Sequence, residues 1–269
     1  MNTFSLTATT VDFIIELFCR IDQKMSGVAK HKQASLWPSE IVTLAMLFVL
    51  KGVSERAFYR WADRDLRRLF PGLPERTRLF RLFAAHRDWA LRCLAEPTFF
   101  GVADSFGIEL IQTARLGRSL RQIARRGKSA RRWIAGVKLG LVLNSQGQVC
   151  AWDLDTANSY DADAFDHLIE RYAEQMIVLA DCNFHKSPFH RSNDPDPPNL
   201  KICGQNVWNQ RRLIETVLSM LTNVCSLKRL KERNWSYLMA HLGFIVATFN
   251  VLTGWDGGEP QLSIARFSL

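Results

Sequence analysis

The six cysteines of this 269-residue chain, at positions 19, 93, 150, 182, 203 and 225, fall in no paired spacing. That excludes the disulfide framework of small secreted domains and leaves free, mostly buried thiols in a reducing cytosol as the expectation. The N-terminus has no basic head followed by an apolar core and a small-residue cleavage site, which points away from export. Long apolar runs are scarce. Ile41 to Leu50 ends at Lys51, too short to span a bilayer, and Leu238 to Trp255 is interrupted by His241 and Asn250 and reads as a buried helix. Internal repeats and low-complexity tracts are missing. Acidic residues are also in deficit, with 26 Asp and Glu against 35 Lys and Arg, a net charge of +9. Such an excess favours a polyanionic partner, either nucleic acid or an acidic membrane surface. A hydrophobic content of 47% with 23% charged residues is ordinary globular composition, and the length allows a full core.

Residues 10–95 read as all-helical. Val11 to Phe18 has amphipathic periodicity, and Pro38 stands where a helix tolerates proline, at the first turn of a stretch that Gly52 ends. Ser54 is a cap for the helix that follows, Pro71-Gly72-Leu73-Pro74 is a turn, and Arg76 to Cys93 is a further helix. Two helices across a glycine turn, the second rich in arginine, permit a helix-turn-helix reading. A small bundle with solvated arginines fits the same pattern. Pro97 marks a boundary, so residues 1–96 are expected as a helical N-terminal region and 97–269 as an α/β domain.

After the boundary the pattern changes to strands. From Arg115 to Arg132 there are eight cations and no acid: Arg115, Arg118, Arg121, Arg125, Arg126, Lys128, Arg131 and Arg132. Neutralising DNA phosphates explains this better than a solvated face, and each contact would steepen the salt dependence by about 0.9 log units on duplex DNA. Val137, Leu139, Leu141 and Leu143 fall on one face of a strand, and a turn at Asn144 to Gly147 returns it as a hairpin. Asp161 to Glu174 is helical, 184–206 is a proline-rich loop, and Asn209 to Val224 is again helical. Strand, hairpin, helix, strand, loop, helix is the order of a mixed-sheet α/β domain.

Three carboxylates stand out in this frame. Asp104 closes the apolar run Phe99 to Ala103, Asp181 closes Met176 to Ala180, and Glu215 lies on the later helix. At 100° per residue Glu215 falls outside the stripe of Leu213, Val217, Met220, Leu221 and Val224, beside Arg211. Any one of them alone is most simply a loop or capping residue, and Arg211 with Glu215 a plain i, i+4 pair. Together, two strand-end aspartates and a helical glutamate can hold a pair of divalent cations for in-line phosphoryl displacement, for which Mg²⁺ is suited.

Ala103-Asp104-Ser105-Phe106, Gly136-Val137-Lys138-Leu139, Thr156 to Asp161, Leu179-Ala180-Asp181 and Asn209 to Glu215 together resemble the DDE transposases of bacterial insertion sequences. The resemblance covers about residues 98–255, and the Asp181 to Glu215 separation is similar to the family's short spacing. It implies an RNase H-like mixed β-sheet flanked by helices, preceded by the small helical region. Asp104, Asp181 and Glu215 would be the catalytic residues, holding two Mg²⁺ ions for which Mn²⁺ can substitute. Lys138 and Arg211 would position the phosphate backbone. The partners would be double-stranded DNA, as element ends and target, and further copies of the chain, in the cytoplasm and without a membrane. Trp208 and Thr222 stand where relatives often place tyrosine and lysine, and Cys182-Asn183-Phe184-His185 replaces a Lys-Gly-Tyr-like continuation. A catalytically inactive DNA-binding relic, a stand-alone RNase H-like nuclease, and a zinc module built on Cys182, His185, His190 and Cys203 are the alternatives.

Overall fold

The computed structural model describes residues 9–118, 122–129, 132–186, 195–203 and 211–255. The chain opens with helix α1 (Thr10–Lys24), where the Thr9 hydroxyl accepts from the Asp12 amide and the Asp12 carboxylate accepts from the Thr9 amide at 2.9 Å. This reciprocal cap satisfies two otherwise orphaned donors. Phe13, Ile14, Leu17 and Ile21 are buried at the helical spacing. Helix α2 (Pro38–Lys51) starts on its proline, is buried on almost every side, and ends at Gly52 with φ +56°, a left-handed conformation that favours glycine.

Helix α3 (Glu55–Asp65) begins where the Ser54 hydroxyl accepts from the Ala57 amide. Replacing Ser54 by Ala is therefore expected to cost about 1 kcal/mol, read as a lower urea midpoint with unchanged m. Arg56, Arg60 and Arg64 on α3 are exposed, while Phe58 and Ala62 pack inward.

The helix expected from Arg76 to Cys93 is in fact two segments. Helix α4 (Arg76–Ala85) stops at His86, whose ring stacks on Trp89 at 4.0 Å between centroids, and a 3-10 segment (Arg87–Cys93) follows. The tighter winding buries Ala90 and Cys93, and the segment packs on the last helix, α7 (Trp235–Trp255). That helix is long and apolar enough to cross a membrane, yet 78% of its most apolar stretch is buried inside the protein. It packs on α2 and α4, so the hydrophobic cluster of the N-terminal helices continues unbroken into the sheet.

The sheet contains β1 (Phe100–Ile111), β2 (Arg125–Ser129), β3 (Arg132–Asn144), β4 (Val149–Thr156), β5 (Ile177–Ala180) and β6 (Leu200–Ile202). Along it the order is β2-β3-β1-β5-β6, with β4 also pairing β3. β3 is long enough to carry β2 beside residues 132–136 and β4 beside 137–143 on the same edge. β1 is antiparallel to β3 and parallel to β5, and β5 is parallel to β6. At the β3–β4 turn the Asn144 side-chain carbonyl accepts from the Gln146 and Gln148 amides, and Gly147 takes φ +76°.

Helix α5 (Asp161–Glu170) covers one face, burying Phe165, Leu168 and Ile169 against Ala103, Val142 and Val178. It ends four residues earlier than its periodicity suggests. Helix α6 (Arg211–Asn223), α7 and the N-terminal helices cover the other face through Val102, Ile108, Leu139 and Leu141. The result is a mixed α/β sheet between helices, preceded by a helical region, as the resemblance implies.

A further expectation fails locally. The proline-rich stretch 184–206 contains β6, held where the buried Asn199 side chain donates to the Ile169 and Met176 carbonyls, each at 2.9 Å. The basic stretch contains β2, whose alternation the run of cations obscures.

Between α7 and the N-terminal helices the His241 ring hydrogen-bonds the Glu232 carboxylate. Burial pushes Glu232 up, but the bond to His241 and its charge outweigh this and hold the carboxyl below the ordinary glutamate value. Glu232 therefore adds stability that is complete above an unfolded-state pKa of about 4.3 and is lost as pH falls through the depressed value. Glu232→Gln is expected to melt below the native protein at neutral pH, with the gap narrowing in a pH series of thermal melts as the pH falls below the unfolded-state value and through the depressed one.

Candidate active site

Asp104 does not end its strand, as its place after an apolar run suggests; it is the fifth residue of the twelve-residue β1 and pairs with Leu141 of β3. Asp181 does stand at a strand end, directly after Ala180 of β5. The parallel register pairs Gly101 with Val178 and Val102 with Leu179. Continued by two residues, it sets Asp104 level with Asp181 on neighbouring strands, whose spacing is about 4.8 Å.

The two carboxylates also share a face. Val102 and Ile108 alternate with Asp104 and belong to the cluster under α6 and α7, whereas Ala103, Val178 and Ala180 face α5. Alternation in β5 then turns Asp181 away from α5 as well. Both aspartates are partly exposed. The Asp181 carboxylate accepts from the Asn183 backbone amide at 3.0 Å and from its side-chain amide at 2.8 Å, which fixes its rotamer at the start of a 3-10 turn. Asp104 Oδ1 accepts from the Ser105 amide at 2.7 Å.

Glu215 lies in the second turn of α6, on the helix that covers this same face. Ile214, Val217, Met220 and Leu221 are buried there, while Glu215 is exposed, off the packing stripe as the helical projection predicts. The position of Gly147 faces Leu213 and Val217, so the first turns of α6 lie over the β3–β4 turn. Among the described residues no three His, Cys, Asp or Glu side chains come close enough to hold one metal ion, so Glu215 is not drawn up to the two aspartates. The pair itself suits an oxygen-ligated divalent cation, since two carboxylates on one face is the donor type that Mg²⁺ takes. Arg211 opens α6, but its side chain lies outside those described, and Trp208 lies outside the described residues altogether.

Lys138 is placed elsewhere. It lies on the α5 face of β3, opposite to Asp104, where its ammonium donates to the Ser159 carbonyl at 2.7 Å and to Asp161 Oδ1 at 2.8 Å. Both side chains of this ion pair are largely buried, so Lys138 ties the sheet to the start of α5. Two of its three N–H donors are engaged there, on the face of the sheet away from the carboxylates.

The basic stretch is arranged as a rim. Arg115 and Arg118 follow β1, Arg125, Arg126 and Lys128 are on β2, and Arg132 opens β3, all exposed. Arg132 lies 3.4 Å from Glu109, and Arg121 and Arg131 lie outside the described residues. Beyond Asp104, residues 106–111 of β1 and Gln112 line a cleft of about 870 Å³ that Lys228 and Lys231 also line. Those two lysines escaped the sequence reading, because nothing in their local pattern links them to β1. Of the residues considered for zinc, His185 is hydrogen-bonded to Asp196 and His190 lies outside the described residues.

Residues 95–185 match the family model described as transposase DDE domain. The match takes in β1 to β5 and both aspartates, and stops short of Glu215. No curated protein and no solved structure matches the chain. Over residues 95–185, about a third of its length, the chain is thus similar to the DDE domain of transposases.

Proposed function

We propose that the chain is a DNA transposase that cuts at the ends of its own element and joins the freed 3′-hydroxyl to target DNA. The reading rests above all on Asp104 of β1 and Asp181, directly after β5, which the register of these two parallel strands, continued past its last pair, would set level within the matched domain. Asp104 and Asp181 would hold divalent cations, two Mg²⁺ or Mn²⁺ in the full assignment, and Glu215 would approach from α6. Such ions lower the pKa of an attacking water and stabilise charge on a phosphoryl oxygen.

The chain's own residues set the geometry. The parallel register keeps the two carboxylates at one level, and the Asn183 bonds orient Asp181. The exposed cations of β2, β3 and the turn after β1 would take DNA phosphates, and Arg211 would take one beside Glu215. Residues 1–96 would serve as the region that reads element ends or mediates assembly, with a homo-oligomer joining two ends.

The test is a plasmid carrying the flanking ends, incubated with the purified protein and Mg²⁺ or Mn²⁺. End-specific nicks and joined products are expected. Binding to the ends without cleavage under either metal would replace this reading with that of an inactive DNA-binding relic.

A further inference from the structure

The face of β3 that presents Leu141 beside Asp104 runs back through Leu139, Val137 and Ala135 to Trp133. Ala135 and Val137 are fully buried, yet Trp133 is 57% exposed. A large apolar ring left open to water is informative in a way that an exposed charge is not. Lys128 stands directly opposite Trp133 across the β2–β3 ladder. Arg126, opposite Ala135, holds its guanidinium 4.8 Å from the centre of the Trp133 ring. Paired residues share a face, so indole, guanidinium and ammonium all lie on the side of the sheet that bears the two aspartates. Arg126 and Lys128 are exposed, and no ion pair among the described residues engages either one.

This combination selects a ligand. A duplex backbone needs the cations but has no use for the ring, because its bases are stacked inside. An apolar protein surface would take the ring but leave two charges to be desolvated. An unpaired nucleotide satisfies both, with its base on the indole and its phosphates at the cations.

We propose that Trp133, with Arg126 and Lys128, is a stacking platform for an unpaired base of the DNA strand held at the Asp104–Asp181 pair. The proposal rests on the DNA-transposase reading for the identity of that strand. Trp133 precedes Leu141 by eight positions on one regular strand, a distance of about 27 Å at ~3.4 Å per residue. At a duplex-like rise of ~3.4 Å per nucleotide the stacked base lies about eight nucleotides from the phosphate at the carboxylates.

The test compares the full chain with Trp133→Ala and Trp133→Phe, using a fluorescein-labelled 20-mer of oligo(dT) and a blunt 20-base-pair duplex as probes. Trp133→Ala is expected to weaken oligo(dT) binding by about 5- to 100-fold, with Phe restoring most of it. Duplex binding should change by less than about twofold, since phosphate contacts carry it. Unchanged oligo(dT) binding in Trp133→Ala overturns the proposal. So does an equal loss on both probes in both variants, which makes Trp133 a structural residue; thermal melts of each variant identify that case. Plasmid nicking by the same preparations separates the two readings. Metal-dependent nicking without Trp133-dependent oligo(dT) binding removes only the platform, whereas the reverse removes the transposition chemistry and leaves the platform standing.

Discussion

Asp181→Asn is expected to lower metal-dependent nicking of element ends by about 10²- to 10⁴-fold while leaving DNA binding intact. Asparagine keeps the size of the side chain and an oxygen able to accept from the Asn183 amide, so the turn that follows β5 survives. The charge and the bond from the Asn183 side-chain amide are lost, and a cation site built on two carboxylates depends on that charge. Asp104→Asn, level with Asp181 on β1, is expected to behave alike, and the double variant to be little worse than either single one, as for groups that act as a unit.

A second readout needs no DNA. Mg²⁺ that binds the folded state raises its melting temperature by mass action. The native chain should show that rise and Asp181→Asn should not. A metal-dependent rise of equal size in both proteins would place the cation elsewhere. Glu215→Gln in the nicking assay decides whether α6 contributes to the same site.

Asn250→Leu is expected to destabilise the protein by about 3–5 kcal/mol, a fall in melting temperature of roughly 10 °C. Asn250 is buried in α7 and ties three parts of the fold together. Its side-chain carbonyl accepts from the Val149 amide at 2.9 Å, and its side-chain amide donates to the Val149 carbonyl at 2.8 Å and the Cys93 carbonyl at 3.0 Å. The β3–β4 register shifts beside Val149, so this helical side chain takes the strand's amide. Leucine fills a similar volume but leaves that amide and the Cys93 carbonyl without their partner, inside a core that water does not reach. Chemical denaturation followed by circular dichroism measures the effect. A loss below about 1 kcal/mol would show that α7 is held by apolar packing alone.

The interruption of an apolar run by Asn250 and His241 was visible in the sequence, and it identified a buried helix. What those two side chains do there was not visible. Their partners Val149, Cys93 and Glu232 come from distant or structurally unrelated positions, and hydrogen bonds between elements leave no periodic trace. The capped start of α3, the Gly52 stop and the Asn144–Gly147 turn were legible because each is decided within four or five residues. The three-residue β6 was not, since a strand that short shows no alternation and exists only through β5 and Asn199. The break between α4 and the 3-10 segment likewise follows from packing on α7.

The same division runs through the site. Residue types and order were enough to single out Asp104 and Asp181 and to locate a basic rim, because carboxylates after apolar runs and a one-sided charge run are local features. Lys138 shows the limit of that reading. Its motif placed it on the right strand, but side chains on a strand alternate, and only the register of the folded sheet reveals that it faces Asp161. Tertiary structure likewise set Asp104 level with Asp181 and left Trp133 open to solvent on the face that bears them. Sequence by itself determined which groups are present and how each segment folds. Which groups meet was decided by strand pairing and by which face each helix covers, since these bring together residues whose separation along the chain carries no signal of contact.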